Sequence, residues 1–335
     1  MIGNLFRSVA NRQFQHSPLF QKLCNDAATD DDILTIASAC PDPYSAPLML
    51  MHAVHGLLLD GQGDDPLGAF FNTVVDEPKS HSDAYADFRR FVIANQASII
   101  DTLSTRWVIK TDLRRGACLR SLIVEAARRL SADRIHLVDI GCSAGLNLLL
   151  DKWRISYGDY SVGPPDSPIS IRTEARRTLP PTTPMPEIVT RTGIDLNLPD
   201  IASRSDRTWV LAHTAPEERD MLRACQAAMD IRARQPLRLI KGDGIALLGE
   251  VVAGLDPAYP VIVMHSLTTV MFTDAMREAF NDVLESCAAS RPLKRVCMEL
   301  VGPAASLFVS DQSVSRPGIV GRADIDGRWM QWLLA

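Results

Sequence analysis

Apolar positions in the first third of the chain follow helical spacing, and no segment there reads convincingly as a strand. Residues three and four positions apart are apolar through four segments, LFQKLCNDA, PLMLMHAVHGLLL, DAYADFRRFVIANQASIIDTL and ACLRSLIVEAARRL. Polar loops punctuated by glycine and proline, DGQGDDPLG and DEPKSHSD, separate the helices. The pattern predicts an N-terminal all-helical region over residues 1–130.

After residue 130 the pattern changes to short apolar runs that alternate with helical segments. The candidate strands are 134–140, 187–196, 237–241, 260–265 and 295–300. Helices are predicted over 144–153, after a capping-box spacing at Thr214 and Glu217, and after a cap at Thr273. Such alternation is typical of an α/β domain with a mostly parallel sheet, which we place at 131–335.

Two segments depart from simple alternation of strands and helices. Residues 154–186 are rich in proline and threonine and are too long for an ordinary connection. We interpret them either as an insertion with its own short strand, ISIRTE, or as a lid that faces the substrate. Near the C-terminus, Asp326 and Gly327 lie between two extended runs and predict a hairpin.

Composition and charge narrow the class of protein. Hydrophobic residues make up 46% of the chain and charged residues 22%, as in soluble globular domains, and the formal net charge is -5. This charge gives no basis for a nucleic-acid partner, so we interpret the local arginine cluster as a solvated helix face. The cluster contains Arg114, Arg115, Arg120, Arg128 and Arg129.

The longest apolar stretch and the cysteines bear on location and on metals. PLMLMHAVHGLLL is shorter than the roughly 20 apolar residues of a membrane span, so we predict a buried helix and no membrane partner. Seven cysteines without a C-x-x-C pair or a secretory signal favour the reducing cytoplasm and no disulfide framework. His52 and His55 lack a neighbouring carboxylate or thiolate at ligand spacing, so we expect core histidines and no metal site.

The most informative stretch is LVDIGCSAGLN, in which an apolar strand ends near an acid and leads into two glycines. Gly141 and Gly145 allow a tight turn that a ligand can approach closely. The spacing G-x-x-x-G differs from the dinucleotide fingerprint G-x-G-x-x-G, and no Gly-Lys-Ser/Thr follows as in a phosphate-binding P-loop. Asp139 favours an ammonium or sulfonium ligand over a phosphate, which its carboxylate would repel.

The same stretch resembles motif I of the class I S-adenosylmethionine-dependent methyltransferases. A longer pattern, D/E-IG-A/C-SAGLNLLLD followed by R-x-GIDL and GD segments, resembles an uncharacterised bacterial family of unknown function. This chain supplies both later segments as RTGIDL at 191–196 and KGD at 241–243. The resemblance implies a Rossmann-like, seven-stranded methyltransferase sheet preceded by a helical region. It also implies S-adenosylmethionine as cofactor and a cytoplasmic methyltransferase acting on a small molecule.

Carried over to this chain, the resemblance names the residues expected to hold the cofactor. They are Asp139, Gly141, Cys142, Ser143, Gly145 and Asn147, with Asp195 and Asp243 from the later segments. Asp195 and Glu174 compete for the ribose hydroxyls, and Glu174 has the more usual distance from motif I. We favour Asp195 because the later order of helix and strand stays regular if 154–186 is an insertion. Its alternative role is that of a turn aspartate.

Methyl transfer is an in-line displacement that requires alignment and, for a weak nucleophile, removal of a proton. His265, at the end of PVIVMHS, and Glu299, in RVCMEL, are the candidate catalytic bases. Their alternative roles are a hydrogen bond at the strand end and a paired carboxylate. No Asn/Asp-Pro-Pro-Tyr/Phe segment is present, which argues against methylation of nucleobase amines.

Two other functions remain open from the sequence. A non-catalytic S-adenosylmethionine-binding or regulatory protein is favoured by departures from the family pattern at residues 111–113 and 215–216. A nicotinamide oxidoreductase would require the missing middle glycine of the dinucleotide fingerprint to be irrelevant. The oligomeric state is also open, with a homodimer as one alternative.

Overall fold

The computed structural model describes residues 2–109, 112–302 and 304–334. The chain divides into two compact units, one formed by Met1–Lys110 with Asp200–Gln226 and the other by Thr111–Pro199 with Ala227–Ala335. The helix that ends at residue 130 therefore groups with the second unit, and part of the predicted α/β region groups with the first.

The described residues form helices and strands with the following bounds. The α-helices are α1 (Ile2–Arg12), α2 (Pro18–Ala27), α3 (Asp31–Ala37), α4 (Ala46–Leu57), α5 (Ala84–Ala94), α6 (Gln96–Thr105), α7 (Arg115–Leu130), α8 (Arg204–Ala212), α9 (Arg219–Arg232), α10 (Gly244–Ala253) and α11 (Asp274–Ser290). The strands are β1 (Arg134–Ile140), β2 (Arg154–Tyr157), β3 (Tyr160–Val162), β4 (Ser170–Arg176), β5 (Glu187–Asp195), β6 (Arg238–Lys241), β7 (Val261–Ser266), β8 (Leu293–Val301), β9 (Ala304–Val309), β10 (Gly318–Ala323) and β11 (Trp329–Trp332).

The first unit is helical, as predicted, and its core is built from the apolar faces of its helices. His52 and His55 are buried in this core, and the Nδ1 atom of each lies 3.0 Å from the carbonyl oxygen of Ala212. Every helix in the described part of the chain is too short or too polar to cross a bilayer.

The predicted capping box at Thr214 and Glu217 is not formed, because Glu217 caps a different helix. Its Oε1 accepts from the backbone N–H of Leu19 over 2.9 Å and its Oε2 accepts from Ser17 Oγ over 2.8 Å. Both donors lie at the first turn of α2, where backbone N–H groups lack partners within the helix. The carboxylate therefore stabilises the start of a helix far away in sequence.

The second unit contains a mixed sheet, which the described residues build from eleven strands in the order β3-β2-β4-β11-β10-β9-β8-β7-β1-β5-β6. The strands β8, β7, β1, β5 and β6 are parallel to one another. Beyond β8 the strands β9, β10 and β11 pair antiparallel. The α/β class is confirmed, but the sheet has eleven strands where the resemblance implied seven.

The extra strands come largely from the predicted insertion, which has its own secondary structure. The segment ISIRTE lies in β4, which pairs parallel with both β2 and β11, and β3 closes this end of the sheet. The proline-rich stretch after β4 is attached to α7, because Arg120 donates to the carbonyls of Pro181 and Thr183 over 3.0 and 2.6 Å. The insertion is therefore part of the sheet.

The arginine cluster is only in part the solvated face that we predicted, since Arg128 is exposed but two other members are not. Arg115 and Arg120 are buried, and Arg115 donates from Nε to the carbonyl of Ile325 over 2.9 Å. That carbonyl belongs to the turn between β10 and β11, which pair antiparallel and confirm the predicted hairpin. Because an arginine has five donors, it can join backbone carbonyls of several loops at once.

Candidate functional site

The stretch after β1 forms a tight turn with left-handed backbone. Gly141 and Gly145 have φ angles of +76° and +71°, and Ser143 between them has +50°. A Cβ atom on Gly141 would lie 2.6 Å from Thr268 Oγ1, so both conformation and space exclude a side chain there. The predicted helix over 144–153 is a shorter, kinked 3₁₀ helix, Leu146–Lys152.

Asp139, near the end of β1, has a buried carboxylate without a donor. Its side chain is only 4% exposed, and it has no hydrogen bond or ion pair with the described residues. Burial, and secondarily the negative charge of Asp195, raises its pKa well above the usual value. A cationic group bound here would therefore relieve both the desolvation of the carboxylate and the repulsion from Asp195.

Asp195 ends β5, the strand beside β1, and contacts the glycine turn directly. Its Oδ2 accepts from the N–H of Ser143 over 2.7 Å and its Oδ1 from the N–H of Asn197 over 2.8 Å. Glu174, the competing candidate, is exposed on β4, and five strands separate β4 from β1. The strand order therefore brings Asp195, and not Glu174, to the motif.

Gly193, within RTGIDL, packs closely against Cys142 of the glycine turn. Gly193 lies opposite Asp139 in the sheet, and a Cβ atom there would lie 2.5 Å from Cys142 Sγ. Burial, with added repulsion from Asp139 and Asp195, raises the pKa of the Cys142 thiol. Cys142 thus stays a neutral side chain that fills space beneath the turn.

An ion pair joins two segments of the longer sequence pattern, LNLLLD and RTGIDL. Asp151, the last residue of LNLLLD, accepts from Nη1 and Nη2 of Arg191 over 2.7 and 2.9 Å. Arg191, the first residue of RTGIDL, also donates to the carbonyl of Leu148. In the same 3₁₀ helix, Asn147 Oδ1 is buried and has no hydrogen-bond donor among the described residues.

Asp243 lies at the start of α10, after β6, and is exposed. Its side chain accepts from the N–H of Ile245 over 2.8 Å, so it is the N-cap of that helix. The N–H of the preceding Gly242 donates to the carbonyl of Asp195 over 2.9 Å. Asp243 therefore lies at the same edge of the sheet as the glycine turn, one strand beyond Asp195.

His265 and Glu299 lie together in a buried hydrogen-bond network on β7 and β8. Arg295 donates from Nε to Nε2 of His265 over 3.0 Å, and His265 Nδ1 lies 2.6 Å from Glu299 Oε1. Since Nε2 accepts, Nδ1 carries the proton and donates to Glu299. Burial lowers the pKa of His265, so the ring is neutral and both nitrogens are engaged.

Glu299 also holds the turn that follows β7. Its Oε1 accepts from the N–H groups of Thr268 and Thr269 over 3.0 and 3.2 Å. Thr268 Oγ1 donates to the carbonyl of Ile140 over 3.1 Å, next to the glycine turn. Sequence reasoning missed Arg295, although its position four residues before Glu299 places both side chains on the same face of β8.

The remaining predicted positions lie elsewhere or are held by local contacts. Thr111 lies outside the described residues, Asp112 accepts from the N–H of Arg114 over 3.0 Å, and Leu113 is buried. The Ala215-Pro216 pair belongs to the first unit, where the carbonyl of Pro216 accepts from the N–H of Thr73. Within the described residues no group of three His, Cys, Asp or Glu side chains is arranged to hold a metal.

Comparison with known proteins gives one result. No curated protein and no solved structure matches the chain. A family model described as "Uncharacterized protein conserved in bacteria (DUF2332)" matches residues 3–332, nearly the whole chain. The chain therefore belongs to this uncharacterised bacterial family, DUF2332.

Proposed function

We propose that the second unit binds S-adenosylmethionine and that the protein transfers its methyl group to a small molecule. The observation that carries this proposal is the buried carboxylate of Asp139, which has no donor among the described residues and lies beside a left-handed glycine turn held by Asp195. A carboxylate in this position favours a ligand with a cationic amino or sulfonium group.

The position of the turn in the sheet supports a ligand site. In the sheet, β5 and β6 lie on one side of β1. The strands β7 and β8, which come later in the chain, lie on its other side. The glycine turn thus lies at the carboxyl end of β1, where the strand order reverses. Open α/β sheets bind ligands at such points, and a Rossmann-like cofactor domain is the finer fold assignment that we propose.

The polar atoms at the turn fit the cofactor. Asp139 and the buried Asn147 Oδ1 would accept hydrogen bonds from its ammonium group, and Asp195 would accept from the ribose hydroxyls. Each carboxylate oxygen has two lone pairs, so Asp195 can keep its bond to Ser143 while it accepts another. Asp243 lies one strand further along, on the side expected for the adenine.

The bound cofactor would supply a methyl group made electrophilic by the positively charged sulfur. The protein then has to orient the acceptor and exclude water. Because both ring nitrogens of His265 are engaged, we assign His265 a positioning role towards Glu299. Glu299 keeps an oxygen, Oε2, that has no donor among the described residues and is the better candidate for contact with the acceptor.

Calorimetric titration with S-adenosylmethionine and S-adenosylhomocysteine tests the proposal. We expect binding to the full chain and at least about tenfold weaker binding for Asp139→Ala and Asp195→Ala, because each removes a charge-assisted hydrogen bond. Glu174→Ala is the control and should bind like the wild type. Failure of the wild type to bind either ligand at millimolar concentration would disprove the cofactor assignment.

A non-catalytic cofactor-binding protein is the second candidate. It is supported by the engagement of both His265 nitrogens, which leaves that residue unable to take a proton without rearrangement. Incubation with methyl-labelled S-adenosylmethionine and a bacterial small-molecule extract separates the two. One labelled product that requires the intact chain would establish turnover.

A further inference from the structure

The turn that follows β7 contains a residue with strained backbone. Leu267 has a φ angle of +53°, in the left-handed region that branched, non-glycine residues rarely adopt. The next two N–H groups, of Thr268 and Thr269, are held by Glu299 Oε1. Strained residues held in this way cluster at ligand sites, where the surrounding contacts fix their conformation.

Glu299 presents a second, unused oxygen at this turn. The residue is only 6% exposed, and its Oε2 has no hydrogen-bond donor among the described residues. Burial alone would raise the pKa of Glu299, but the bonds from His265, Thr269 and Thr268 lower it below the usual value. An ionised oxygen buried without a donor is costly, and a ligand that donates a hydrogen bond removes the cost.

Apolar residues close in sequence to this turn and to Glu299 have exposed side chains. Val270 and Met271 follow Thr269 in the chain, and Met271 is 76% exposed. Val301 lies two residues after Glu299 on β8, hence on the same face, and is also exposed. We call the exposed side chains of Val270, Met271 and Val301, which flank the turn and Glu299 in sequence, the apolar rim.

We infer that this turn is the acceptor subsite, and that the acceptor is a small molecule with an apolar body and an amine or hydroxyl group that donates to Glu299 Oε2. The apolar body would lie against the rim. The role as methyl acceptor rests on the proposed function, whereas the recognition of a donor beside an apolar body does not.

Three probes that each carry one phenyl ring test the inference. Benzylamine donates hydrogen bonds, acetophenone only accepts them, and toluene neither donates nor accepts. Dissociation constants are measured by ligand-observed NMR on the full chain. We expect the wild type to bind benzylamine at least about tenfold more tightly than acetophenone, because a hydrogen bond to a charged group has that value.

Glu299→Gln gives the sharpest comparison. Its amide oxygen can keep the bonds to His265, Thr268 and Thr269, while its NH₂ group replaces Oε2 with a donor. The preference should therefore reverse in favour of acetophenone. Glu174→Gln removes an exposed carboxylate on β4 and should leave the preference unchanged, which controls for general attraction of a cation to an acidic protein.

Met271→Ala and Val301→Ala test the rim without disturbing the core, since both side chains are exposed. Each substitution should weaken the binding of all three probes by a similar factor. Equal binding of benzylamine and acetophenone to the wild type would overturn the inference, as would parallel weakening of both probes by Glu299→Gln. Absence of S-adenosylhomocysteine binding with the probe preference intact would overturn the proposed function and the acceptor role, but not the donor site.

Discussion

His265 donates from Nδ1 to Glu299 Oε1 over 2.6 Å, and this bond lies at the centre of a buried network that reaches the glycine turn. The same oxygen accepts from Thr268 and Thr269, and Thr268 in turn contacts the end of β1. The turn after β7 and the turn after β1 are therefore fixed by one carboxylate.

Glu299→Ala should destabilise the second unit strongly. It leaves three donors near β7 without their acceptor, and each unsatisfied buried donor costs about 1–3 kcal/mol. We expect a loss of about 3 kcal/mol or more in the free energy of unfolding, measured by urea denaturation, with fast hydrogen exchange in β7 and β8. Glu299→Gln retains an acceptor oxygen and should lose much less, and Glu174→Ala should change stability by less than about 0.5 kcal/mol.

Asp139→Asn should make the protein more stable at high pH while it weakens cofactor binding. Because burial and Asp195 raise the pKa of Asp139 in the folded chain, the folded state holds a proton that the unfolded state has released. The stability of the wild type therefore falls as pH rises from the ordinary pKa of aspartate to the raised pKa. Asparagine does not titrate and has no such slope, so the advantage of the variant should grow as pH rises above the ordinary pKa of aspartate.

The outcome against this prediction is a stability difference between wild type and Asp139→Asn that does not change with pH. Asp243→Asn serves as the comparison, because Asp243 is exposed at the start of α10 and its side chain can still accept from Ile245 as asparagine. Its pH profile should run parallel to that of the wild type.

Gly141→Ala and Gly158→Ala separate backbone conformation from lack of space. Both glycines have left-handed φ angles, +76° and +70°, but a Cβ atom on Gly158 meets nothing within 4 Å. We expect Gly158→Ala to cost about 1–2 kcal/mol, the value for left-handed backbone. Gly141→Ala should cost about 2 kcal/mol more, because its Cβ would also collide with Thr268. Similar losses for both variants would show that the contact with Thr268 is not tight.

The helical unit should lose stability on mild acidification. Burial lowers the pKa of His55 from its ordinary value of 6.5 to about 4. Between these two pH values the unfolded chain binds a proton that the folded chain does not bind. The free energy of unfolding therefore falls as pH drops from 6.5 towards 4, by up to about 3 kcal/mol. Hydrogen exchange of α4 at pH 7 and pH 5 measures this effect.

His55→Gln should reduce that pH dependence, even though it also lowers stability at pH 7 by removing the bonds to Ala212 and Thr73. His81→Gln, at an exposed position, is the matched control and should preserve it. An unchanged slope in His55→Gln would assign the acid sensitivity to other groups.

Local pattern predicted the parallel strands well because each contains a short apolar run, which is largely buried in β1, β7 and β8. The candidate strand 134–140 coincides with β1, and the others begin and end within about two residues of the observed bounds. The turn at Gly141 and Gly145 followed from glycine spacing, and the choice of Asp195 as the acid on the next strand of the sheet followed once 154–186 was treated as an insertion. These features depend on neighbours in sequence or on regular strand order.

The features that the sequence did not predict depend on partners far away in sequence. The engagement of His265 requires Arg295 on the next strand, and the cap formed by Glu217 serves a helix that begins near residue 18. Arg115 and Arg120 were interpreted as solvated because the spacing within α7 does not show that they bind backbone carbonyls in the distant loops at 181–183 and 325. Hydrogen bonds to the backbone leave little trace in residue type.

The position of β11 between β10 and β4 has a consequence for how the chain is made. The pairing of Glu174 with Trp329 means that β4 lacks one neighbour until Trp329 has left the ribosome, long after β4 itself. During that interval β4 exposes an unpaired edge, a template for association with other chains. Synthesis that slows or stops between β4 and β11 should therefore favour aggregation through β4, and pairing with β11 should end that exposure.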